Sequence, residues 1–232
     1  MTDVLDLREV GYVLDGQDIL RGVTLATRAR RIGIVGRNGS GKSTLARALA
    51  GLVPVEGHLR IEGVDVMRDR RAALVTIGLL FQNPDHQIIF PTVAEELRFG
   101  LRQQGLKARA AENRVAETLA RFGKSGWGPR SVNDLSHGQK QLVCLMAILA
   151  MQPRVIVLDE PFSGLDIPTR MQLARRLGAL DAALVHISHA PEDLADYEHV
   201  IWIDEGRVMA EGGPEVLDAY AARMREIGAR DD

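Results

Sequence analysis

Short apolar runs alternate with stretches of helical spacing along most of the chain. Segments rich in β-branched side chains predict strands at 32–35, 58–66, 75–80, 155–158, 183–188 and 200–203. Leu45, Leu49 and Leu52 recur at helical spacing, and Gly51 is a suitable end for a helix over 42–50. This alternation predicts an α/β fold in which βαβ units surround a largely parallel sheet.

The pattern becomes helical between residues 84 and 152. Thr92 with Glu95, and Ser136 with Gln139, have the spacing of capping boxes, which mark helix starts. We therefore expect one domain over 1–232, with an α/β core formed by 1–82 and 153–232. Residues 83–152 are expected to form a helical subdomain inserted between the strands of that core.

Composition adds constraints on partners and location. The 232 residues carry 29 Lys and Arg against 31 Asp and Glu, a net charge of −2, which gives no basic footprint for nucleic acid or a membrane surface. The single cysteine, Cys144, fits a reducing compartment. The longest apolar run, 142–151, is far below the roughly 20 residues of a membrane span, and no signal peptide is visible. We expect a soluble chain that reaches a membrane only through a partner.

A glycine-rich segment from Gly36 to Ser43 carries the strongest chemical signal, because it matches G-x-x-x-x-G-K-[ST] between a strand and a helix. Its backbone N–H groups and the helix N-terminus would hold the phosphates of ATP. Lys42 would bridge the β- and γ-phosphates, and the Ser43 hydroxyl would bind Mg²⁺. The alternative is a chance match. The candidate nucleotide-binding residues here are Gly36, Asn38, Gly39, Ser40, Gly41, Lys42, Ser43 and Thr44.

Two adjacent carboxylates end the apolar strand expected at 155–158. Asp159 suits the coordination shell of Mg²⁺, and Glu160 suits a base or polarising group for an attacking water. The alternative is that the two acids only solvate a strand end. A phosphate loop elsewhere in the chain favours the catalytic interpretation.

The segment Ser136–Gln139 combines a helix-capping serine with a glycine whose N–H is free of a bulky side chain. Such a helix start can bind a second anion. The alternative is an ordinary capped helix without a ligand, which would have the same residue pattern. Two phosphate-binding helix ends in one chain suggest two copies that face each other, each completing the site of the other.

Residues 135–139, Leu-Ser-His-Gly-Gln, resemble the LSGGQ signature of ABC ATPases, with His137 in place of its first glycine. Tyr12 resembles the family's adenine-stacking aromatic residue, and Gln82 resembles the Q-loop glutamine at the Mg²⁺ site. Residues 163–166 resemble the D-loop, and His189 resembles the switch histidine that contacts the γ-phosphate. The resemblance implies a RecA-like P-loop NTPase core, an antiparallel β subdomain and a helical ABC-specific subdomain. It also implies nucleotide contacts from Ser136, Gly138 and Gln139.

Residues 83–96, after Gln82, resemble the ATPases of energy-coupling-factor (ECF) importers, which take up vitamins and metal ions. In that group this region receives a coupling helix of a membrane partner, which implies coupling roles for Asp85, His86 and Gln87. The LSHGQ variant and the short C-terminus are similar to the ATPase of a dedicated biotin importer. The alternative is another class of ABC transporter.

The resemblance also implies a mechanism and an assembly. Two copies would meet head-to-tail as a homodimer, with ATP and Mg²⁺ between the Lys42 loop of one and Ser136–Gly138 of the other. The alternative is a pair formed with a degenerate paralogue. An integral membrane coupling subunit and a substrate-binding membrane subunit would hold the dimer at the cytoplasmic face of the membrane. A non-transport ABC ATPase of DNA repair is the alternative, but residues 44–134 show no sustained heptads for its coiled coil.

Overall fold

The computed structural model describes residues 2–229 and contains ten strands and seven α-helices in that part of the chain. The strands are β1 (Leu5–Leu14), β2 (Gln17–Thr27), β3 (Arg31–Val35), β4 (Glu56–Ile61), β5 (Val64–Asp65), β6 (Ile77–Leu80), β7 (Val155–Asp159), β8 (Ala183–Ser188), β9 (His199–Asp204) and β10 (Arg207–Gly212). The helices are α1 (Lys42–Leu49), α2 (Arg70–Thr76), α3 (Val93–Gln103), α4 (Ala108–Arg121), α5 (His137–Ala150), α6 (Ile167–Gly178) and α7 (Glu215–Gly228).

Two sheets organise these strands. The six-stranded sheet has the order β10-β9-β3-β8-β7-β6, in which β3 pairs in parallel with β8 and β9, and β7 pairs in parallel with β8. The four-stranded sheet has the order β2-β1-β4-β5, and its pairs are antiparallel. The predicted α/β fold with a parallel core sheet and an antiparallel β portion is therefore confirmed.

The core explains the positions of the central strands. Every residue of β7 and β8 is buried, as expected for parallel strands covered on both faces. One apolar cluster joins residues of β1, β2, β3, β4 and α1 to β7, β8 and β9, including Leu7, Ile34, Leu45, Val157 and Ile187. This cluster fixes the ends of β3 and β7, where the predicted phosphate loop and carboxylates begin.

The predicted strands differ from the structure in several places: β1, β2 and β10 were not predicted, and the strand expected over 58–66 is the pair β4 and β5. We expected a strand over 75–80, but Val75 and Thr76 end α2, and β6 starts at Ile77. Asp69 caps α2 by accepting a hydrogen bond of 2.9 Å from the backbone N–H of Ala72. This cap starts a helix that extends through two β-branched residues, whose strand propensity it overrides.

The chain divides into two compact units. The first contains the chain up to Leu79, Arg154–Glu160 and the chain from Ala182; the second contains Leu80–Pro153 and Pro161–Asp181. The sequence placed all of 153–232 in the core, whereas Pro161–Asp181 groups with the helical unit. The reason is local packing, because Leu165 and Thr169 lie against Gly138 of α5. Within residues 2–229, no helix is both long and apolar enough to cross a membrane.

Candidate nucleotide site

The phosphate loop connects β3 to α1 in the first unit, and its glycines are required by its path. A Cβ atom at Gly36 would overlap the carbonyl oxygen of Ile203. Gly39 and Gly41 have φ angles of 79° and 98°, in the left-handed region that favours glycine. Ser40 is buried, and its hydroxyl has no hydrogen-bond partner among the described residues. An orphaned buried hydroxyl in a glycine-rich loop fits a ligand that supplies oxygen acceptors, as a phosphate does.

Lys42 is buried at the start of α1, and its ammonium group is held by the loop itself. Its Nζ donates hydrogen bonds of 2.7 Å to the carbonyl oxygen of Gly36 and 2.8 Å to that of Arg37. Burial lowers the pKa of Lys42, and the nearby carboxylates of Glu160, Asp159 and Asp204 act in the opposite direction. A partly desolvated cation of this kind interacts strongly with an added anion.

Ser43 and Asp159 meet although they are far apart in sequence. The Ser43 hydroxyl donates a hydrogen bond of 3.1 Å to Oδ1 of Asp159 at the end of β7. Burial raises the pKa of Asp159, while the hydrogen bond from Ser43 lowers it. A hydroxyl and a carboxylate side by side are the oxygen donors that Mg²⁺ prefers, so the residues present fit that ion.

Glu160 directly follows β7 and has an unusual backbone for its residue type. Its φ of 49° lies in the left-handed region, and its N–H donates a hydrogen bond of 3.0 Å to the carbonyl oxygen of Ile187. The side chain is buried, and Oε2 lies 2.8 Å from Nδ1 of His189. Two of the three residues predicted as catalytic, Glu160 and His189, are thus in direct contact, at the same end of the sheet as Asp159; the third, Gln82, belongs to the second unit.

The remaining predicted residues of the first unit lie near the loop or at its tip. Asn38 and Gly39 are exposed, and Thr44 is half-buried on α1. Tyr12 lies half-buried on β1 opposite Leu20 of β2. The side chain of Leu20 approaches Gly41, so the strand pair that carries Tyr12 borders the phosphate loop.

The signature-like segment lies in the second unit and has the predicted capping box. The Ser136 hydroxyl accepts a hydrogen bond of 3.3 Å from the Gln139 N–H, and Gln139 Oε1 accepts one of 3.1 Å from the Ser136 N–H. The His137 ring approaches Gly164 of the segment that resembles the D-loop. The side chain of His137, which replaces the first glycine of the signature, therefore lies beside a residue that has no side chain.

Gln82 and the predicted coupling residues also belong to the second unit, where Gln82 and His86 are exposed. Asp85 makes an ion pair of 2.6 Å with Lys140 of α5, and this hydrogen bond lowers the pKa of the Asp85 carboxyl. Gln87 accepts a hydrogen bond of 3.2 Å from the N–H of Phe81, so its side chain also supports the local backbone.

A cavity of about 360 Å³ adjoins this segment. Asp85, Lys140 and Asn133 supply its polar walls, and Ile88 and Phe90 supply apolar ones. Ile89 also lines the cavity and is 70% exposed, a high value for an isoleucine. The combination of apolar side chains and an ion pair suits a protein segment better than a small polar ligand.

The sequence analysis did not identify Asp204 and Gly206 as part of the site. Both contact the phosphate loop: Asp204 pairs with Arg37, and the Gly206 N–H donates a hydrogen bond of 3.0 Å to the carbonyl oxygen of Ser40. No motif marks them, because they lie more than 160 residues beyond the loop.

A glycine-rich loop between a parallel strand and a helix, with a carboxylate at the end of another parallel strand of the same sheet, defines a P-loop nucleotide-binding protein. Residues 21–163 match the family model described as ABC transporter. The chain belongs to the ABC transporter family of ATP-binding proteins, and the resemblance found in its sequence is confirmed. Proteins of this kind are ATPases that power transport.

Individual relatives are similar over nearly the whole chain. The Biotin transport ATP-binding protein BioM of Rhodobacter capsulatus is 48% identical, with 96% of each chain covered. The energy-coupling factor transporter ATP-binding protein EcfA of Methanothermobacter thermautotrophicus is 38% identical over 98% of this chain and 76% of its own. The solved structure of cbiO1 from Clostridium perfringens, part of the ABC transporter complex cbiONQ, has a TM-score of 0.79 at 27% identity. The match covers 99% of this chain and 96% of the cbiO1 chain.

Proposed function

We propose that this chain is the ATP-hydrolysing subunit of an ECF-type importer and that biotin is the transported molecule. The observation that carries this proposal is the 48% identity to a biotin transport ATP-binding protein over 96% of both chains. A second biotin transport ATP-binding protein, from Rhizobium etli, is 36% identical over 97% of this chain. The intact Lys42, Asp159 and Glu160 constellation supports active hydrolysis.

The geometry supports a division of roles at the nucleotide. The N–H groups of the loop and Lys42 bind the phosphates, and Tyr12 stacks on the base. Ser43 and Asp159 would hold Mg²⁺, which would neutralise charge on the phosphate oxygens. The family resemblance implies Gln82 as a further residue for this ion. Glu160 orients the attacking water and accepts its proton, and His189 holds the Glu160 carboxylate in place through the 2.8 Å contact.

The second half of the site is proposed to come from another copy of the chain. Ser136, Gly138 and Gln139 form a helix start that suits an anion, and the phosphate loop of the same chain lies in the other compact unit. Two chains arranged head-to-tail would therefore enclose two ATP molecules. Closure upon ATP binding and reopening after hydrolysis provide the motion that transport needs.

Asp85, His86 and Gln87, with the adjoining cavity, are proposed to receive an integral membrane coupling subunit. A substrate-binding membrane subunit would complete the importer at the cytoplasmic face of the membrane. Exposed Ile89 and the ion pair of Asp85 with Lys140 are the features of this surface that support a protein partner.

Reconstitution tests the proposal. The chain and its co-purifying membrane proteins are placed in vesicles, and ATP-dependent uptake of radiolabelled biotin is measured for the wild type and for Lys42→Ala. We expect uptake by the wild type only, because Lys42 is needed for ATP binding. Equal uptake by both proteins would refute an ATP-driven role for this loop.

A second cargo class has its own support. The Cobalt import ATP-binding protein CbiO of Syntrophus aciditrophicus is 33% identical over 98% of this chain. The same vesicles, assayed with radioactive cobalt, distinguish a metal-ion importer from a biotin importer. ATP-dependent uptake of cobalt without uptake of biotin would replace the proposed cargo and leave the ATPase assignment unchanged.

A further inference from the structure

The hairpin that joins β9 to β10 contacts the phosphate loop. Asp204 and Arg207 are paired across it, and the two residues between them, Glu205 and Gly206, have φ angles of 48° and 74°. Two positive φ angles are typical of a tight type I′ turn, the turn that fits the twist of a hairpin. The tip is also packed, because a Cβ atom at Gly206 would overlap the carbonyl oxygen of Ile19 on β2.

This hairpin holds the phosphate loop at two points. The Arg37 guanidinium donates two hydrogen bonds, of 3.3 Å and 3.2 Å, to the two carboxylate oxygens of Asp204. The Gly206 N–H donates a hydrogen bond of 3.0 Å to the carbonyl oxygen of Ser40. A bidentate arginine–carboxylate pair fixes direction as well as distance, so the first half of the loop has little freedom to rotate.

Arg37 is the residue through which this support reaches Lys42. The carbonyl oxygen of Arg37 accepts hydrogen bonds of 2.8 Å from Nζ of Lys42 and 3.2 Å from the N–H of Ser40. The Arg37 side chain points to Asp204, while its backbone orients the loop and the ammonium group. The electrostatics agree, since Asp204 favours the charged form of Lys42 and so opposes the effect of burial on its pKa.

We propose that Asp204 is a positioning residue for ATP binding, which acts by holding Arg37 and does not itself touch the nucleotide. This inference rests on the proposed use of the loop for ATP. Arg37 would then serve as a structural link, although an arginine in a phosphate loop could instead bind a phosphate oxygen directly. The two roles predict opposite results when Asp204 is removed.

The experiment compares purified full-length variants Arg37→Ala, Asp204→Ala and the double variant by ATP affinity and by steady-state hydrolysis. If Asp204 acts through Arg37, each single change weakens ATP binding by about three- to ten-fold, the effect of a partly exposed charge-assisted pair. The double variant is then no weaker than either single one, because the two residues act as one unit. KM for ATP rises, while kcat changes little, since Glu160 and His189 are untouched.

A direct phosphate contact by Arg37 would give a different pattern. Asp204→Ala would release the guanidinium and leave ATP affinity unchanged or tighter, whereas Arg37→Ala alone would weaken it; that result overturns the proposal. Asp204→Glu keeps the carboxylate and is expected to restore most of the affinity. A merely destabilising change would not be rescued in this way, and thermal unfolding of each variant identifies proteins that fail to fold.

Two further variants serve as controls for the ATP-binding experiment. Arg8→Ala removes a bidentate pair of the same residue types, with Asp6 on β1, and is expected to leave ATP affinity unchanged. Lys42→Ala separates the failure of this proposal from failure of the proposed function. If Lys42→Ala binds ATP normally, the loop is not the ATP site. If it loses binding while Asp204→Ala binds like the wild type, only the role of Asp204 is refuted.

Discussion

At the scale of single residues, Glu160 is expected to have the largest effect on hydrolysis. Glu160→Gln keeps the size and the contact with His189 but cannot accept a proton, so hydrolysis should fall on the order of 10²–10⁴-fold. ATP binding should persist, because the phosphate contacts come from other residues. Glu192→Gln, an exposed acid on the turn after His189, is the matched control and should hydrolyse ATP normally. Near-normal hydrolysis by Glu160→Gln would assign the base to another residue.

Asp159 provides a prediction about stability. Burial raises its pKa, so the ionised carboxylate costs stability in the folded chain once the pH exceeds the ordinary carboxyl value. Asp159→Asn removes that cost and can still accept the hydrogen bond from Ser43. We expect a higher Tm for the variant near pH 8, and a difference that shrinks as the pH falls and the wild-type carboxyl becomes protonated.

Thermal unfolding of both proteins over a series from about pH 5 to about pH 8 measures this difference. Hydrolysis by the variant should be lost, because an amide is a poor ligand for Mg²⁺. A variant that is less stable than the wild type at every pH would mean that the charge of Asp159 contributes favourably through Lys42 and Arg47.

Local residue patterns were sufficient to predict part of the site. The Ser136 and Gln139 capping box joins groups only three residues apart, so sequence spacing alone could reveal it. The pairs Arg37–Asp204 and Asp85–Lys140 join residues on separate elements. Nothing in the sequence near one partner specifies the other, because the pairing depends on how the elements pack.

At the scale of elements, β1 is a strand that the sequence pattern missed because its periodicity is irregular. In β1 the buried residues Leu5, Leu7 and Val10 are separated by two and then three positions. The change occurs at Glu9, whose φ is 51°, where the register against β2 shifts. A bulge of this kind interrupts the alternation by which a strand is recognised, while β7 and β8 have continuous apolar runs.

The coupling segment is tested at the same scale. Changing Asp85 and Gln87 together to alanine should leave ATP binding by the isolated chain within about two-fold of the wild type, because neither side chain is among the proposed nucleotide contacts. Transport by the assembled complex should fall, because the partner surface is altered. Uptake and hydrolysis are measured in one reconstituted preparation.

Arg109→Ala is the control for this change, since it removes an exposed charge on α4 that does not line the cavity and keeps Asp85 and Gln87. Normal transport by this control, with a defect in the double variant, assigns the effect to the surface itself. Normal transport by the double variant would mean that residues 83–89 are a linker between elements without a role in coupling. The main support for the coupling surface would then be gone.

At the scale of the whole molecule, the chain passes from one compact unit to the other directly after Glu160. We propose that the two units act as one ABC ATPase domain, with the phosphate loop in the first and the Ser136 helix start in the second. Sequence alone indicated both halves of the site but assigned α6 to the core. Its contact with Gly138 depends on packing between α5 and α6, which no single segment encodes.

Assembly gives a prediction at this scale. Glu160→Gln should accumulate as an ATP-bound dimer, because binding is retained and the hydrolysis that reopens the dimer is slow. Size-exclusion chromatography with MgATP measures it, and Glu160→Gln combined with Ser136→Arg is the matched control that should remain monomeric. A Glu160→Gln protein that binds ATP but stays monomeric would contradict the head-to-tail arrangement for the isolated chain.

The left-handed backbone of Glu160 has a consequence for how this position can vary. Glycine, asparagine and aspartate adopt a φ of 49° more easily than glutamate does. A library randomised at residue 160 and selected only for heat resistance should therefore enrich those three residues. The same library selected for growth on scarce cargo should return to glutamate. Glutamate at residue 160 would then be favoured by selection for ATP turnover, although the local backbone conformation favours other residues.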